Sequence, residues 1–252
     1  MICFAGLGNY GRLGNQMFQV AATLSVANHR GTYACFPKNC QIQDVFELKD
    51  CKFVDSANPH FIFNESSFEF DKNVFSVPNM TNIHGYFQSE KYFENCEFQI
   101  LENFKFKKSI ADKAELNLKR YNQKLCAIHI RRGDYLKFSD VHQFPGLDYY
   151  EKSINKIKEK FNNVSFLIFS DDIEWCKSVD LFKDCDFVEN ETDSVEMCMI
   201  TKCDFHIIAN SSFSWWGARL SNSKLTVAPS RWFGENGPKS WKDIYCKNWE
   251  II

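Results

Sequence analysis

Two adjacent guanidinium groups, Arg131 and Arg132, sit in a run that reads Ala-Ile-His-Ile-Arg-Arg-Gly-Asp-Tyr at 127–135. Arg offers a rigid fork of donors that meets a phosphate in two places, which the single ammonium of Lys cannot do. Residues 126–130 are apolar apart from His129, so they read as a buried strand. Gly133 can turn the chain after it, and Asp134 can hold one Arg in place. Ligands of open parallel sheets bind beyond the carboxyl ends of strands, and a doubled Arg there suits a nucleotide diphosphate. On this stretch alone the alternative is an ion-pair cluster of Arg131 or Arg132 with Asp134.

A second candidate lies at the start of the chain. Gly6, Gly8, Gly11 and Gly14 come close together, ahead of a helix expected over about 15–29 with Met17, Val20, Ala21, Leu24 and Ala27 as its apolar stripe. The spacing at 6–11 formally matches the dinucleotide fingerprint, which also needs an acid about twenty residues on to take a ribose hydroxyl. The next expected strand, 32–36, runs into Pro37 and Lys38, and no acid comes before Asp44, so NAD is not expected. What remains is a Gly-rich turn with Gly14, Asn15 and Gln16 at a helix N-terminus. Such a terminus either contacts an anion or a sugar, or is simply a capped turn.

The elements that must position these groups become regular after residue 125. Strands are expected at 126–130, 164–169, 186–188, 205–208 and 225–228. The stretches between them carry helical periodicity, and capping-box spacing opens two of them, at Asp148/Glu151 and Asp193/Glu196. Strand alternating with helix argues βαβ units and a parallel sheet. Three polar clusters then follow strand ends on one edge: Arg131/Arg132, Asp171/Asp172, and Asn210 with Ser211/Ser212. That convergence reads as a nucleotide site. Before it, 44–78 is irregular. The aromatic stretch 85–93 suits either stacking on sugars or core packing. A Lys-rich amphipathic helix with Ile110, Ala114 and Leu118 closes a first domain, giving 1–123 and 124–252.

Composition narrows the partners. The chain has 252 residues, a net charge of −2, 25% charged and 44% apolar residues, as in ordinary globular proteins, and no basic run of the kind that holds nucleic acid. No apolar run reaches the roughly 18 residues that span a bilayer, and residues 1–9 lack a signal-peptide pattern, so a soluble, cytoplasmic protein is expected. The 11 cysteines form no Cys-x-x-Cys pair, which argues for buried thiols rather than zinc.

With the clusters laid out, the sequence resembles the inverting α1,2-fucosyltransferases, the glycosyltransferase family 11 type that acts on GDP-fucose. The matching pieces are Gly-Arg-Leu-Gly-Asn-Gln-Met-Phe-Gln at 11–19, Gly-Tyr-Phe-Gln-Ser-Glu-Lys-Tyr-Phe at 85–93 and His-Ile-Arg-Arg-Gly-Asp at 129–134. Phe-Ser-Asp-Asp at 169–172 and Asn-Ser-Ser-Phe-Ser-Trp-Trp-Gly-Ala at 210–218 follow, in the family's order. The resemblance implies an α/β, GT-B-like fold. Two Rossmann-like domains are expected, the first on the acceptor side and the second holding GDP-fucose at its strand C-termini.

It also implies roles. Arg131 resembles the Arg that takes the donor's β-phosphate and stabilises the charge that grows there as GDP leaves. His129 resembles a guanine or ribose contact. Glu196 falls where more distant relatives place an acid against guanine, the alternative being the capping box above. Ser211 and Ser212, preceded by Asn210, resemble phosphate-contacting groups at a helix N-terminus. Gly14, Asn15 and Gln16 are expected near the fucose and diphosphate, with Arg132, Asp134 and Asp171 fixing the Arg loop. The expected substrates are GDP-fucose and a terminal galactoside, with no metal or other cofactor. Other linkages from GDP-sugars (α1,6 or protein-O) and a non-catalytic sugar- or nucleotide-binding module are the competing readings.

Overall fold

The computed structural model describes residues 1–252 and arranges the strands into two all-parallel sheets, one in each of two units. The first unit comprises Met1–Lys107 and Ser240–Cys246. Its elements run β1 (Ile2–Cys3), α1 (Leu13–His29), β2 (Ala34–Pro37), α2 (Ile42–Val45), β3 (Cys51–Val54), β4 (Phe61–Asn64), β5 (Thr81–His84) and α3 (Glu97–Asn103). The sheet order is β3-β2-β1-β5-β4. The helix starts slightly earlier than its apolar stripe suggests, and the first strand is much shorter than the apolar run it begins. Helix α1 is buried almost all round, Gln19 and Thr23 included, so it lies inside this unit's core. Within the irregular stretch, β4 is an edge strand with Phe61 and Ile62 exposed, which is why it carries no clean alternation.

The second unit comprises Lys108–Lys239 and Lys247–Ile252. It runs α4 (Lys108–Leu118), β6 (Lys124–Ile130), α5 (Leu147–Lys160), β7 (Val164–Ser170), α6 (Ile173–Ser178), β8 (Asp186–Phe187), α7 (Asp193–Thr201), β9 (Phe205–Ile207), α8 (Ser212–Arg219), β10 (Leu225–Ala228) and β11 (Glu250–Ile251). Near-continuous apolar strands are buried on both faces, as a parallel sheet between helices requires. The order β11-β10-β9-β6-β7-β8 is the doubly wound one, reversing between β6 and β9. The core gathers Ile128, Ile130, Ile154, Ile157, Ile168 and Phe205, and Tyr149 and Tyr150 of α5 pack onto it.

This division and the expected one at 123/124 differ by α4 and by a returning segment. Helix α4 belongs to the second unit: Ala114 is fully buried, Asn117 donates to Glu191 at 2.8 Å, and Glu115 accepts from Lys202 at 2.9 Å. Residues 240–246 rejoin the first unit, where the Asp243 carboxylate accepts from the Phe70 N–H at 2.9 Å and from Lys91 at 2.6 Å. All 11 cysteines are free thiols, and nearly all are buried.

Candidate active site

Strand register builds the site. β6 pairs with β7 so that Ile130 lies opposite Ser170, which brings the next residues, Arg131 and Asp171, side by side beyond the strand ends. On the other flank β6 pairs with β9, whose continuation delivers Asn210 and Ser211 to the same edge. The three clusters therefore meet in the crevice where the strand order reverses, the usual ligand position in open α/β sheets.

Arg131 is held from two sides. Its Nη2 lies 2.7 Å from the Asp134 carboxylate and its Nη1 lies 3.1 Å from Asp171 Oδ2, while only 17% of the side chain is exposed. Asp171 Oδ1 also accepts the backbone N–H groups of Arg132 at 2.9 Å and Gly133 at 3.1 Å. A Cβ at residue 133 would lie 2.9 Å from Asp171 Oδ2, so glycine is what permits this close approach. Arg132 has other partners: its guanidinium pairs with Asp172 and lies 4.4 Å over the Trp175 ring. The two arginines are thus not equivalent. Arg131 retains donors beyond its two carboxylate partners, whereas Arg132 is stacked and paired.

His129, the last inward polar residue of β6, is 6% exposed, and its Nδ1 has no hydrogen-bond partner. Burial, reinforced by the charge of Arg131, depresses its pKa to about 3, so the imidazole is neutral. Its ring lies 5.5 Å from that of Phe213 in the first turn of α8, and its backbone carbonyl accepts from the Tyr150 hydroxyl at 3.1 Å. Ser211 is the N-cap of α8, with its hydroxyl accepting from the Phe213 N–H at 3.3 Å. The helix thus starts with Ser211 and Ser212 at the crevice, where its free N–H groups and dipole favour an anion.

Glu196 is a partly buried carboxyl for which no hydrogen bond or ion pair is found. Burial comes first, followed by the nearby carboxylates of Asp193, Glu191 and Asp171; together they raise its pKa to about 8. The capping-box reading is corrected here: α7 is capped by Thr192, whose hydroxyl accepts from the Val195 N–H. Glu196 is one residue too far along to reach back to the cap. The expected box at Asp148/Glu151 also fails, because α5 starts at Leu147 behind Gly146 without a side-chain cap.

The side chain of Asn210 is 1% exposed, and its Nδ2 donates to the carbonyls of Gln143 at 2.9 Å and Trp232 at 2.8 Å. It pins two loops through its N–H groups, while its Oδ1 is buried without a hydrogen-bond partner. Its own carbonyl accepts from Tyr135 at 2.8 Å, a tie between the Arg loop and the α8 loop that sequence reasoning missed. Gly14, Asn15 and Gln16 lie on the first unit. Gly14 and Gln16 are buried there, and Gln16 Oε1 accepts from the Ile42 N–H at 3.2 Å, at the first residue of α2. Asn15 Oδ1 accepts from Gln88 at 2.8 Å.

Comparison with known proteins decides the family. The model of the family described as glycosyl transferase family 11 matches residues 7–252. The chain belongs to glycosyl transferase family 11. An Escherichia coli alpha-1,2-colitosyltransferase is 34% identical to it, over 88% of this chain and 90% of that protein. A mouse galactoside 2-alpha-L-fucosyltransferase, Sec1, is 23% identical over 90% of this chain and 67% of its own length. Among solved structures, POFUT1 in complex with GDP-fucose superposes with a TM-score of 0.59 at 12% identity, covering 90% of this chain and 97% of that one. The fucosyltransferase NodZ from Bradyrhizobium gives 0.56 at 12% identity, covering 87% and 92%. The two-sheet architecture is therefore the GT-B-like one of the fucosyltransferases, and this family 11 chain is a glycosyltransferase. No helix is long and apolar enough to cross a membrane.

Proposed function

We propose that the chain transfers L-fucose from GDP-β-L-fucose to the 2-hydroxyl of a terminal galactoside, with inversion at the anomeric carbon. The observation that supports this most is Arg131, held in place between the carboxylates of Asp134 and Asp171, in the same crevice as the N-terminus of α8. In this reading the donor's β-phosphate meets Arg131 and the first turn of α8. As the bond from the anomeric carbon to the phosphate oxygen breaks, negative charge collects on GDP and the guanidinium binds it more strongly than it binds the ground state. The acceptor oxygen attacks from the opposite face, forms the new bond to the anomeric carbon and passes its proton to water. A positively charged sugar centre formed ahead of attack needs only weak base assistance.

Neutral His129 suits a nucleotide contact, since it adds a hydrogen-bonding nitrogen beside Arg131 without charge repulsion. Glu196 is read as the acceptor of the guanine N1–H and N2–H2 donors. Transfer is proposed to need no metal, because arginine and helix N–H groups supply the countercharge. Asp186 opens β8 level with Leu167, the middle residue of β7, and Asp184 precedes it, so the pair lies before the strand ends that carry Arg131.

The colitosyl name of the 34% identical relative favours a second reading, in which the donor sugar is colitose and the linkage the same. Colitose is fucose without its 3-hydroxyl, so the two donors present the same diphosphate and base. Incubation of the protein with GDP-fucose or GDP-colitose and a panel of galactosides, with product linkage assigned by NMR, tests both. An α1,2-linked product from GDP-fucose at the higher kcat/KM is expected; a strong preference for GDP-colitose would install the second reading, and no transfer from either would overturn both.

A further inference from the structure

The first unit carries a side-chain cluster that the diphosphate chemistry does not use. It lies at the carboxyl ends of β1 and β5, which are neighbours in that sheet, in the loops 4–12 and 85–89. Gln19, fully buried in α1, ties the two loops together, its Nε2 donating to the carbonyls of Tyr10 at 3.0 Å and Gly85 at 3.4 Å. Asn82, the second residue of β5, accepts the Ala5 N–H at 2.7 Å.

Glu65, just beyond β4, grips the second loop from behind. Its carboxylate accepts from the N–H groups of Tyr86 at 2.7 Å and Phe87 at 3.1 Å, and the Tyr92 hydroxyl lies at 3.4 Å. A Cβ on Gly85 would lie 2.4 Å from that of Glu65, so no side chain fits there. Phe87, fully buried, is held at a φ of 53°, a conformation a phenylalanine adopts only when its surroundings impose it. Strain of this kind, fixed by a half-buried carboxylate, needs a reason.

What the clamp presents is aromatic. Tyr86 is 37% exposed and backed by Phe68, with ring centroids 5.6 Å apart and planes at 21°. Tyr10 is 42% exposed and stands edge-on against His84 at 4.6 Å. The amides of Gln88 and Asn15 pair at the same edge. Partly exposed rings held against buried neighbours, with an amide pair in the adjoining residues, match a pyranose, which offers a patch of C–H bonds on one face and hydroxyls around it. A β-galactoside has such a patch at C3, C4 and C5.

We infer that this loop pair is the acceptor seat, with the C–H face of the galactoside stacked on Tyr86 and Tyr10 at its side. Glu65 is then a positioning residue that fixes the angle of the Tyr86 ring. The inference rests on the proposed function for the identity of the sugar, and its test separates the two. With saturating GDP-fucose, Tyr86→Ala should raise the galactoside KM at least tenfold. Tyr86→Phe, which keeps the ring, should stay within twofold of the parent. GDP affinity measured by calorimetry should be unchanged in both, and circular dichroism should show each variant folded. Saturation-transfer NMR with methyl β-galactoside supplies a readout independent of turnover: its signals should be present with the parent and lost with Tyr86→Ala. A galactoside KM within twofold of the parent in both Tyr86→Ala and Tyr10→Ala would overturn the seat while leaving the transferase reading intact. Galactoside signals that depend on Tyr86 in a protein that transfers nothing would do the reverse. Neither binding nor transfer would overturn both.

Discussion

Asp171 binds Arg131 and shapes the loop that carries it with one carboxylate. One oxygen lies 3.1 Å from Arg131 Nη1, and the other accepts the N–H groups of residues 132 and 133. The guanidinium is therefore aimed before any anion arrives, which is the arrangement that lowers a barrier rather than merely tightening binding. Asp134 on its other nitrogen completes the support.

Replacing Arg131 by Lys should remove most turnover. A single ammonium cannot span Asp134, Asp171 and a phosphate together. Losing one preorganised donor of this kind costs about 3 kcal/mol or more, roughly a hundredfold or greater in rate. Arg132→Lys keeps a cation for Asp172 and loses mainly the planar stack over Trp175, worth about 1 kcal/mol. Single-turnover rates at saturating donor check this; equal and small effects of the two substitutions would remove Arg131 from its role.

Asn210 makes a different prediction, since its amide N–H groups serve two backbone carbonyls. Asn210→Ala leaves the carbonyls of Gln143 and Trp232 without their donor, at about 1–3 kcal/mol each. A clear fall in the urea midpoint is expected, with GDP affinity of the folded protein close to the parent's. Ser211→Ala, which removes the α8 cap, should cost about 1 kcal/mol. A variant at 210 as stable as the parent would mean that the loops are pinned elsewhere.

The contrast between Asn210 and Arg131 shows what was legible in the sequence. Fully buried parallel strands announce themselves as apolar runs, so the second sheet, its edge and the three clusters on it could all be read from residues 126–228. Register then did the rest, because Arg131 and Asp171 follow paired strands. Side-chain direction could not be read: nothing in the order of residues says that Asn210 and Gln16 turn inward while Tyr135 reaches across to the Asn210 carbonyl. The short edge strand β4 and the return of residues 240–246 to the first unit were equally invisible. Their pairing comes from distant partners such as Asp243 with Phe70, not from local pattern. In 85–93 the core reading held for Tyr92 and Phe93, which are buried, while Tyr86 stays exposed, as does Phe98 just beyond the motif.

Transfer should survive chelation. Metal-dependent transferases hold a divalent cation between carboxylates and the diphosphate, and the pair at Asp184 and Asp186 lies at the wrong end of β8 for that. Initial rates with EDTA should match those without it, and added Mn²⁺ should not raise them. Activity lost with EDTA and restored by Mn²⁺ would refute the arginine-and-helix account of charge neutralisation.

Glu196 makes stability, and on the proposed reading GDP binding, depend on pH. Its pKa in the folded protein is raised to about 8 by burial and neighbouring carboxylates, against an ordinary value near 4.3 in the unfolded chain. Between these pH values the folded state holds the proton and the unfolded state does not, so stability is highest below about pH 4.3 and is lost as pH rises through about 8. Glu196→Gln removes that loss, so without ligand the variant should melt higher than the parent at pH 8 and alongside it near pH 4. On the proposed reading of Glu196 as the guanine acceptor, the base reverses the preference. Its N1–H and N2–H2 groups need the ionised carboxylate, and such a charged acceptor is worth about 1.5–3 kcal/mol. GDP should therefore bind the parent more tightly as pH rises from 6 to 8, releasing a proton that calorimetry in two buffers of different ionisation enthalpy would register. Glu196→Gln should weaken GDP at least tenfold at pH 8 and abolish the proton release. Undiminished GDP affinity in that variant would leave the base to His129 and backbone groups, with Glu196 a buried acid of no recognitional use.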